Sequence, residues 1–280
     1  MIPTDKTKRA YQGIMAITFD NAPLIEAVAE LRWGAASTMP AQMLPGQTIT
    51  FGPDASASED FFMNFGGECS ALGMQRAERI VPQGFPVLPG QVVYRFRSGD
   101  KNVHTLLQVG NGVFSANALP PYPSWDLGFK ELIGNGVEAL LNSRPSSEKG
   151  AKFSTLSLRY INGFDEKFRA GLSGEAFLNK LGFSIGKPGK LNEIFGREDQ
   201  AIGLSINSRV DDKHSVQVNI GEGLKDGAPA TMVELTVTTM NVSPDKEEIL
   251  RVFQTSHDLV EEIFLDMTRH LRDLMKPREV

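Results

Sequence analysis

The feature that most constrains this chain is a set of short segments in which apolar and polar residues alternate. In the segment 24–33, for example, Ala29 and Leu31 alternate with Glu30 and Arg32. A period of two is typical of a β-strand with one buried face and one polar face. The same alternation recurs at 92–96, 103–109, 113–117, 153–162, 202–206, 216–220 and 233–237. Together these segments predict antiparallel sheet with one side facing water.

Helical spacing appears between the strand segments and again at the end of the chain. It predicts helices at about 60–74, 125–141, 173–181 and 243–274. The last is the strongest, and we expect Ser243 as its N-cap with Pro244 at the first helical position. About 30 residues rising 1.5 Å each would make a helix of roughly 45 Å.

These elements predict an α+β fold. We expect two lobes of antiparallel sheet, each covered by a helix, with the long amphipathic helix at the C-terminus. The predicted boundaries are 1–165 and 166–280. A single wrapped sheet built from both halves is the alternative.

The composition excludes several classes of protein. The 280 residues contain 29 Lys and Arg against 34 Asp and Glu, a net charge of −5, so no global cationic surface favours nucleic acid or an anionic membrane. One cysteine and four histidines exclude a disulfide scaffold and a cysteine-rich zinc site. We therefore expect no metal and no cofactor. No segment is apolar enough to span a membrane, and the polar segment 1–10 does not fit a signal peptide, which predicts a cytoplasmic protein.

Phenylalanine dominates the aromatic residues, with 17 Phe against 4 Tyr and 2 Trp. Because the Phe ring has no polar group, this bias predicts either a dry core or a cavity for an apolar ligand such as a lipid.

Glu26 and Glu30 lie four residues apart on one face of a predicted strand, beside Arg32. Two carboxylates and an arginine could catalyse proton transfer or hold a cation if they lay in a cleft, and Arg159 would complete such a site. The alternative is a solvated strand face with cross-strand ion pairs.

The segment 117–125 combines three prolines with Tyr122 and Trp125, which predicts a stiff recognition loop. The alternative is that these aromatic residues fasten the following helix to the sheet. Asn162 could cap or clamp the loop. The complete set of candidate ligand- or partner-binding residues is Glu26, Glu30, Arg32, Asn117, Tyr122, Trp125, Arg159, Tyr160 and Asn162.

Other candidate chemistry has simpler interpretations. His257 and Glu261 are four residues apart on the final helix, a spacing that suits a metal, although polar flanks of an amphipathic helix are the favoured interpretation. Cys69 has no neighbouring base in the sequence and is predicted to be a buried structural thiol.

Several segments, taken in order, resemble one protein family. They are NAPLIEAVAELRW at 21–33, LQV at 107–109, Asn117, YPSW at 122–125 and LRYIN at 158–162. In their order and spacing they resemble a sporadically distributed family of uncharacterised bacterial proteins. The resemblance implies an accessory gene that moves between genomes, of the phage-defence or toxin–antitoxin type.

We therefore expect a non-enzymatic binding or regulatory protein that takes an apolar ligand such as a lipid, or a partner protein. The long final helix is a candidate homodimer surface. The alternative function is an enzyme that uses the Glu and Arg residues of the N-terminal lobe.

Overall fold

A computed structural model describes residues 17–34, 55–122, 124–190, 193 and 202–279 of the chain. The N-terminal segment 1–10, on which the expectation about a signal peptide depends, lies outside these residues. The described residues form a nine-stranded sheet, a two-stranded sheet and six α-helices. The predicted α+β class, with antiparallel sheet and a long C-terminal helix, is confirmed.

The strands are β1 (Ile17–Phe19), β2 (Leu24–Arg32), β3 (Arg76–Arg79), β4 (Val92–Arg97), β5 (Thr105–Gly110), β6 (Val113–Ala118), β7 (Phe153–Phe164), β8 (Leu204–Arg209), β9 (His214–Lys225), β10 (Ala228–Val242) and β11 (Pro277–Glu279). The helices are α1 (Ala55–Ala71), α2 (Lys130–Ser143), α3 (Glu166–Arg169), α4 (Gly174–Lys180), α5 (Lys246–Met267) and α6 (Arg272–Met275). A π-helical turn over Trp125–Phe129 precedes α2, and a 3-10 turn over Arg269–Leu271 precedes α6.

The large sheet runs in the order β3-β4-β5-β6-β2-β7-β10-β9-β8, and every neighbouring pair is antiparallel. Strands β2 and β7 are adjacent at its centre. Strand β7 of the first predicted lobe also pairs with β10 of the second, so the strands of the two predicted lobes are joined in one sheet. Each half has the same plan, in which the last strand of a meander returns beside the first: β6 beside β2, and β10 beside β7. The division into domains at 165/166 stays a prediction.

All six helices pack on one face of the large sheet. Their buried side chains join the inward strand residues in two core clusters, one for each half of the sheet. The close approach of α2 depends on Gly136, because a methyl group there would lie 2.8 Å from the side chains of Leu107 and Phe114. Cys69 is buried in the first cluster, as predicted.

The opposite face of the large sheet carries no described helix, and we call it the open face. The register sets residues of neighbouring strands directly opposite one another, which produces polar rows across the sheet. One row is Glu78, Arg95, Gln108, Ser115, Glu30, Ser157, Thr238, Ser215 and Arg209, and the next is Arg76, Arg97, Leu106, Asn117, Val28, Arg159, Thr236, Gln217 and Asn207.

The final helix differs from its prediction at both ends. Its N-cap is Asp245, whose carboxylate accepts a hydrogen bond from the backbone N–H of Glu248, so the prediction of Ser243 and Pro244 is wrong. It ends at Met267, and its 22 residues make about 33 Å rather than 45 Å of helix. Its apolar stripe packs against both core clusters of its own chain. A homodimer formed through this helix stays a prediction.

Among the described helices, none combines the length and the apolar character that crossing a bilayer requires.

Candidate functional site

The sequence-predicted site residues divide between the two faces of the large sheet. Alternation along β2 puts Glu26, Glu30 and Arg32 on the open face, and the neighbouring strands add Asn117 and Arg159 there. The remaining candidates, Tyr122, Trp125, Tyr160 and Asn162, lie on the side covered by helices. The predicted residues therefore form two groups rather than one site.

On the open face, Asn117 and Glu26 are held together by a hydrogen bond. The Asn117 Nδ2 donates to Glu26 Oε1 over 2.7 Å, and the Ser115 hydroxyl donates to Asn117 Oδ1 over 2.8 Å. Ser115 and Asn117 are buried, with 3% and 6% of their surface exposed. Buried polar groups are normally hydrogen-bonded, so Ser115 holds the Asn117 amide in place. The hydrogen bond from Asn117 then fixes the orientation of the Glu26 carboxylate.

The same network continues toward the edge strand. The amide nitrogen of Gln108 donates to the Ser115 hydroxyl over 3.2 Å, and its oxygen accepts from Arg95 Nε over 3.0 Å. Arg95 also lies 3.6 Å from the carboxylate of Glu78 on β3. A chain of polar contacts thus connects Glu26 at the centre of the sheet with its edge.

The other charged candidates on the open face pair with one another or with a neighbour. Arg32 donates to both oxygens of Glu30, over 2.6 and 3.1 Å. Arg159 lies 3.9 Å from Glu234 on β10, with 40% and 30% of the two side chains exposed. Arg159 with Glu234 is a cross-strand ion pair of the kind that the second interpretation of the sequence predicted, whereas Arg32 and Glu30 pair within β2. Both pairs remain partly accessible to solvent.

On the covered side, three polar rings form a hydrogen-bonded chain. The hydroxyl groups of Tyr122 and Tyr160 are 3.3 Å apart, and the Tyr160 hydroxyl is 3.1 Å from His257 Nδ1. The indole of Trp125 stacks on the His257 ring, with centroids 4.3 Å apart and planes 9° from parallel.

The π-helical turn positions Trp125 for this contact. Ser124 adopts a left-handed φ of 80°, and its side chain accepts from the backbone N–H of Leu127. The Trp125 indole N–H then donates to Gln254 over 2.9 Å, and Gln254 donates to Asp258 over 2.8 Å. The aromatic residues therefore fasten the turn that precedes α2 to α5 and to the sheet. The structural interpretation of the loop predicted the attachment to the sheet but not the contact with α5.

Burial controls the protonation of this cluster. It raises the pKa of Tyr122 and that of Tyr160, and it lowers the pKa of His257 to about 4. Burial, with the nearby charges of Asp258 and Asp126, also raises the pKa of Glu261. His257 and the two tyrosines are therefore neutral at pH 7.

Asn162 is separate from both groups in its contacts. It is buried, and its Nδ2 donates to the backbone carbonyl of Val233 over 3.5 Å. Its amide thus bonds the neighbouring strand β10.

Sequence reasoning missed the role of His257 and Gln254. His257 lies one helical turn after Phe253 of the apolar stripe, and this position was the available signal that its ring faces the sheet. The sequence instead suggested a metal ligand with Glu261 or, as the favoured interpretation, a polar flank of the helix. Within the described ranges, no group of three or more His, Cys, Asp or Glu side chains is placed to hold a metal ion.

Comparison of the chain with protein-family models, with curated proteins and with solved structures finds no match.

Proposed function

We propose that this chain is a non-enzymatic binding protein that holds a partner protein on the open face. The observation that carries this proposal is the asymmetry of the nine-stranded sheet, which has the six described helices on one face and pre-oriented, partly exposed charged pairs on the other. Side chains already held by neighbours lose little freedom on binding, so they favour association.

The chemistry of the open face favours a protein partner over a nucleic acid. Charges of both signs alternate there, as in the pairs Arg32 with Glu30 and Arg159 with Glu234. Mixed charges give specificity toward a complementary protein surface, whereas a polyphosphate would meet the repelling carboxylates. The described rows contain no aromatic side chain on which a base could stack.

An apolar ligand is less favoured because the phenylalanines are used in packing. Eleven of the 17 belong to the buried members of the two core clusters. They are Phe61, Phe62, Phe65, Phe96, Phe114, Phe129, Phe153, Phe164, Phe168, Phe177 and Phe253. The dry core therefore accounts for most of the bias that predicted a lipid.

The enzyme alternative is less favoured as well. Glu30 and Arg32 bind each other, and Arg159 lies beside Glu234 on a broad sheet surface. Catalytic groups need partners that leave them available to substrate, in a concave site that excludes water.

Site-specific photocrosslinking in cells of the source organism tests the proposal. A benzophenone amino acid at Ser157, in the centre of the open face, should yield one discrete crosslinked protein. The same probe at Glu247, exposed on α5, is the matched control and should not yield it.

Charge reversal then separates a specific partner from incidental capture. Arg159→Glu should reduce the Ser157 crosslink about tenfold or more, since charged contacts across an interface contribute more than about 1.4 kcal/mol. Arg272→Glu, exposed on α6, makes the same charge change on the covered side and should leave the crosslink intact. Equal crosslinking from both probe sites, or indifference to Arg159→Glu, would contradict the proposal.

The resemblance to a sporadically distributed family supports a further part of the proposal, an accessory setting of the phage-defence or toxin–antitoxin type. Neighbouring genes with defence functions are expected, and a consistently housekeeping neighbourhood would argue against it.

A further inference from the structure

A cavity of about 150 Å³ opens where strands β3, β4 and β5 meet the turn that follows β4. Its polar lining residues are Arg76, Arg97, Ser98, Asp100, Lys101, His104 and Thr105. None of these residues belongs to the predicted site. The lining has three permanent cations against one carboxylate.

The arginines of this cavity differ from three others on the open face. Arg32, Arg95 and Arg159 each lie beside a glutamate. Among the described residues, Arg76, Arg97 and Lys101 have no ion-pair partner. The Nε of Arg97 is buried and also lacks any hydrogen-bond partner. A buried guanidinium N–H without an acceptor is costly, so this group is poised to bind one.

The register of β3 with β4 also brings two positive charges together. Arg76 on β3 lies directly opposite Arg97 on β4. Like charges at directly opposite positions repel, and this pair destabilises the sheet edge unless an anion lies between them. Asp100 is the one carboxylate of the lining and cannot balance its three cations, and its Oδ1 accepts the backbone N–H of Asn102 in the turn.

We propose that this cavity is a binding site for a small tetrahedral oxyanion of the phosphate class, either free phosphate or a phosphate monoester. Two guanidinium groups match the paired oxygens of a phosphate, and Lys101 adds a point charge at the mouth. The volume suits one phosphate group and a small substituent. This inference does not depend on the partner-protein proposal, because the site is built from other residues.

Isothermal titration of the purified full chain with inorganic phosphate and, separately, with phenyl phosphate tests the site. The titrations are performed at fixed pH and at ionic strength matched with NaCl. Saturable binding with one site per chain is expected. Tighter binding of phenyl phosphate would identify a monoester as the ligand, and tighter binding of phosphate would identify the free ion.

Arg97→Gln and Arg76→Gln should each weaken binding roughly 10- to 100-fold, because each removes a charge-assisted hydrogen bond. Arg209→Gln, at the opposite edge of the same face, makes the same change in net charge and is the matched control. It should bind as the unmodified chain does. Arg76 is exposed, so its variant keeps the test valid even if Arg97→Gln does not fold.

The proposal is overturned if neither anion binds saturably, or if Arg209→Gln weakens binding as much as Arg76→Gln does. Arg159→Glu should bind phosphate normally. Phosphate binding is therefore expected whether or not the open face binds a partner protein, and the two proposals can fail independently.

Discussion

At the scale of single residues, burial decides what a side chain does in this protein more than its chemical type does. Cys69 is a clear case, because burial, with the nearby Glu68 charge, raises the pKa of its thiol to about 12. Arg144 is another: it is 2% exposed, lies over the rings of Trp33 and Phe153, and donates from Nη1 to the Ala151 carbonyl. Both side chains are parts of the core, although a thiol or a guanidinium exposed to solvent could react or bind a ligand.

His257 should make stability fall in acid. Burial lowers its pKa to about 4 in the folded state, whereas the unfolded chain takes up the proton near the usual histidine pKa of 6.5. The contribution is therefore complete above about pH 6.5 and is lost as the pH falls toward 4, by about 3 kcal/mol. Urea unfolding of the unmodified chain and of His257→Phe at pH 7.5 and pH 4.5 measures it.

The difference between the two proteins isolates His257 from the carboxylates, which titrate in both. We expect the unmodified chain to lose more stability than His257→Phe between these pH values. Parallel losses in the two proteins would show that folding does not lower the pKa of His257.

At the scale of elements, α5 ties the two halves of the sheet together. Its N-terminal part packs Ile249 and Phe253 into the first core cluster, and its later part packs Val260 and Met267 into the second. The hydrogen bonds between Trp125 and Gln254, and between Tyr160 and His257, mark where the two clusters meet. The position of this helix therefore decides how both halves are covered.

The N-cap of α5 gives an element-scale prediction. Asp245→Ala should lower the free energy of unfolding by about 1 kcal/mol, because the backbone N–H of Glu248 loses its acceptor at 2.8 Å. Ser243→Ala is the matched control and should change stability by less than about 0.5 kcal/mol. Urea unfolding measures both, and a larger loss in Ser243→Ala would place the cap where the sequence pattern first indicated it.

At the scale of the whole molecule, the central pairing of β2 with β7 makes one sheet of two similar halves. Strand β7 pairs with β2 along one edge and with β10 along the other. Neither half can separate without breaking this central ladder or lifting α5 from one of the clusters. The two halves should therefore depend on each other for stability.

Cooperative unfolding follows from this arrangement. Hydrogen exchange followed by mass spectrometry should show peptides of β6 and β9, from opposite halves, opening with the same free energy in increasing urea. Leu158→Ala, at the centre of β7, should lower both values equally, by about 2 to 5 kcal/mol, because Leu158 is fully buried. Earlier opening of β9 alone would support two independent domains.

The sequence by itself determined the class of fold and much of its local structure. Alternation over 24–33 predicted β2 and correctly placed Glu26, Glu30 and Arg32 on one face, because a strand's side chains alternate with a period of two regardless of its neighbours. The N-cap was less certain from sequence, since Ser243 and Asp245 are both residues that favour caps.

The tertiary structure alone decided which residues meet. Asn117 reaches Glu26 from 91 positions away, Tyr160 reaches His257 from 97, and Arg76 faces Arg97 across the edge of the sheet. Strand order and register depend on the packing of the whole chain, and the local alternation of residues does not determine them. For this reason the sequence predicted strands and faces, whereas the division of the candidate site and the basic cavity came only from the fold.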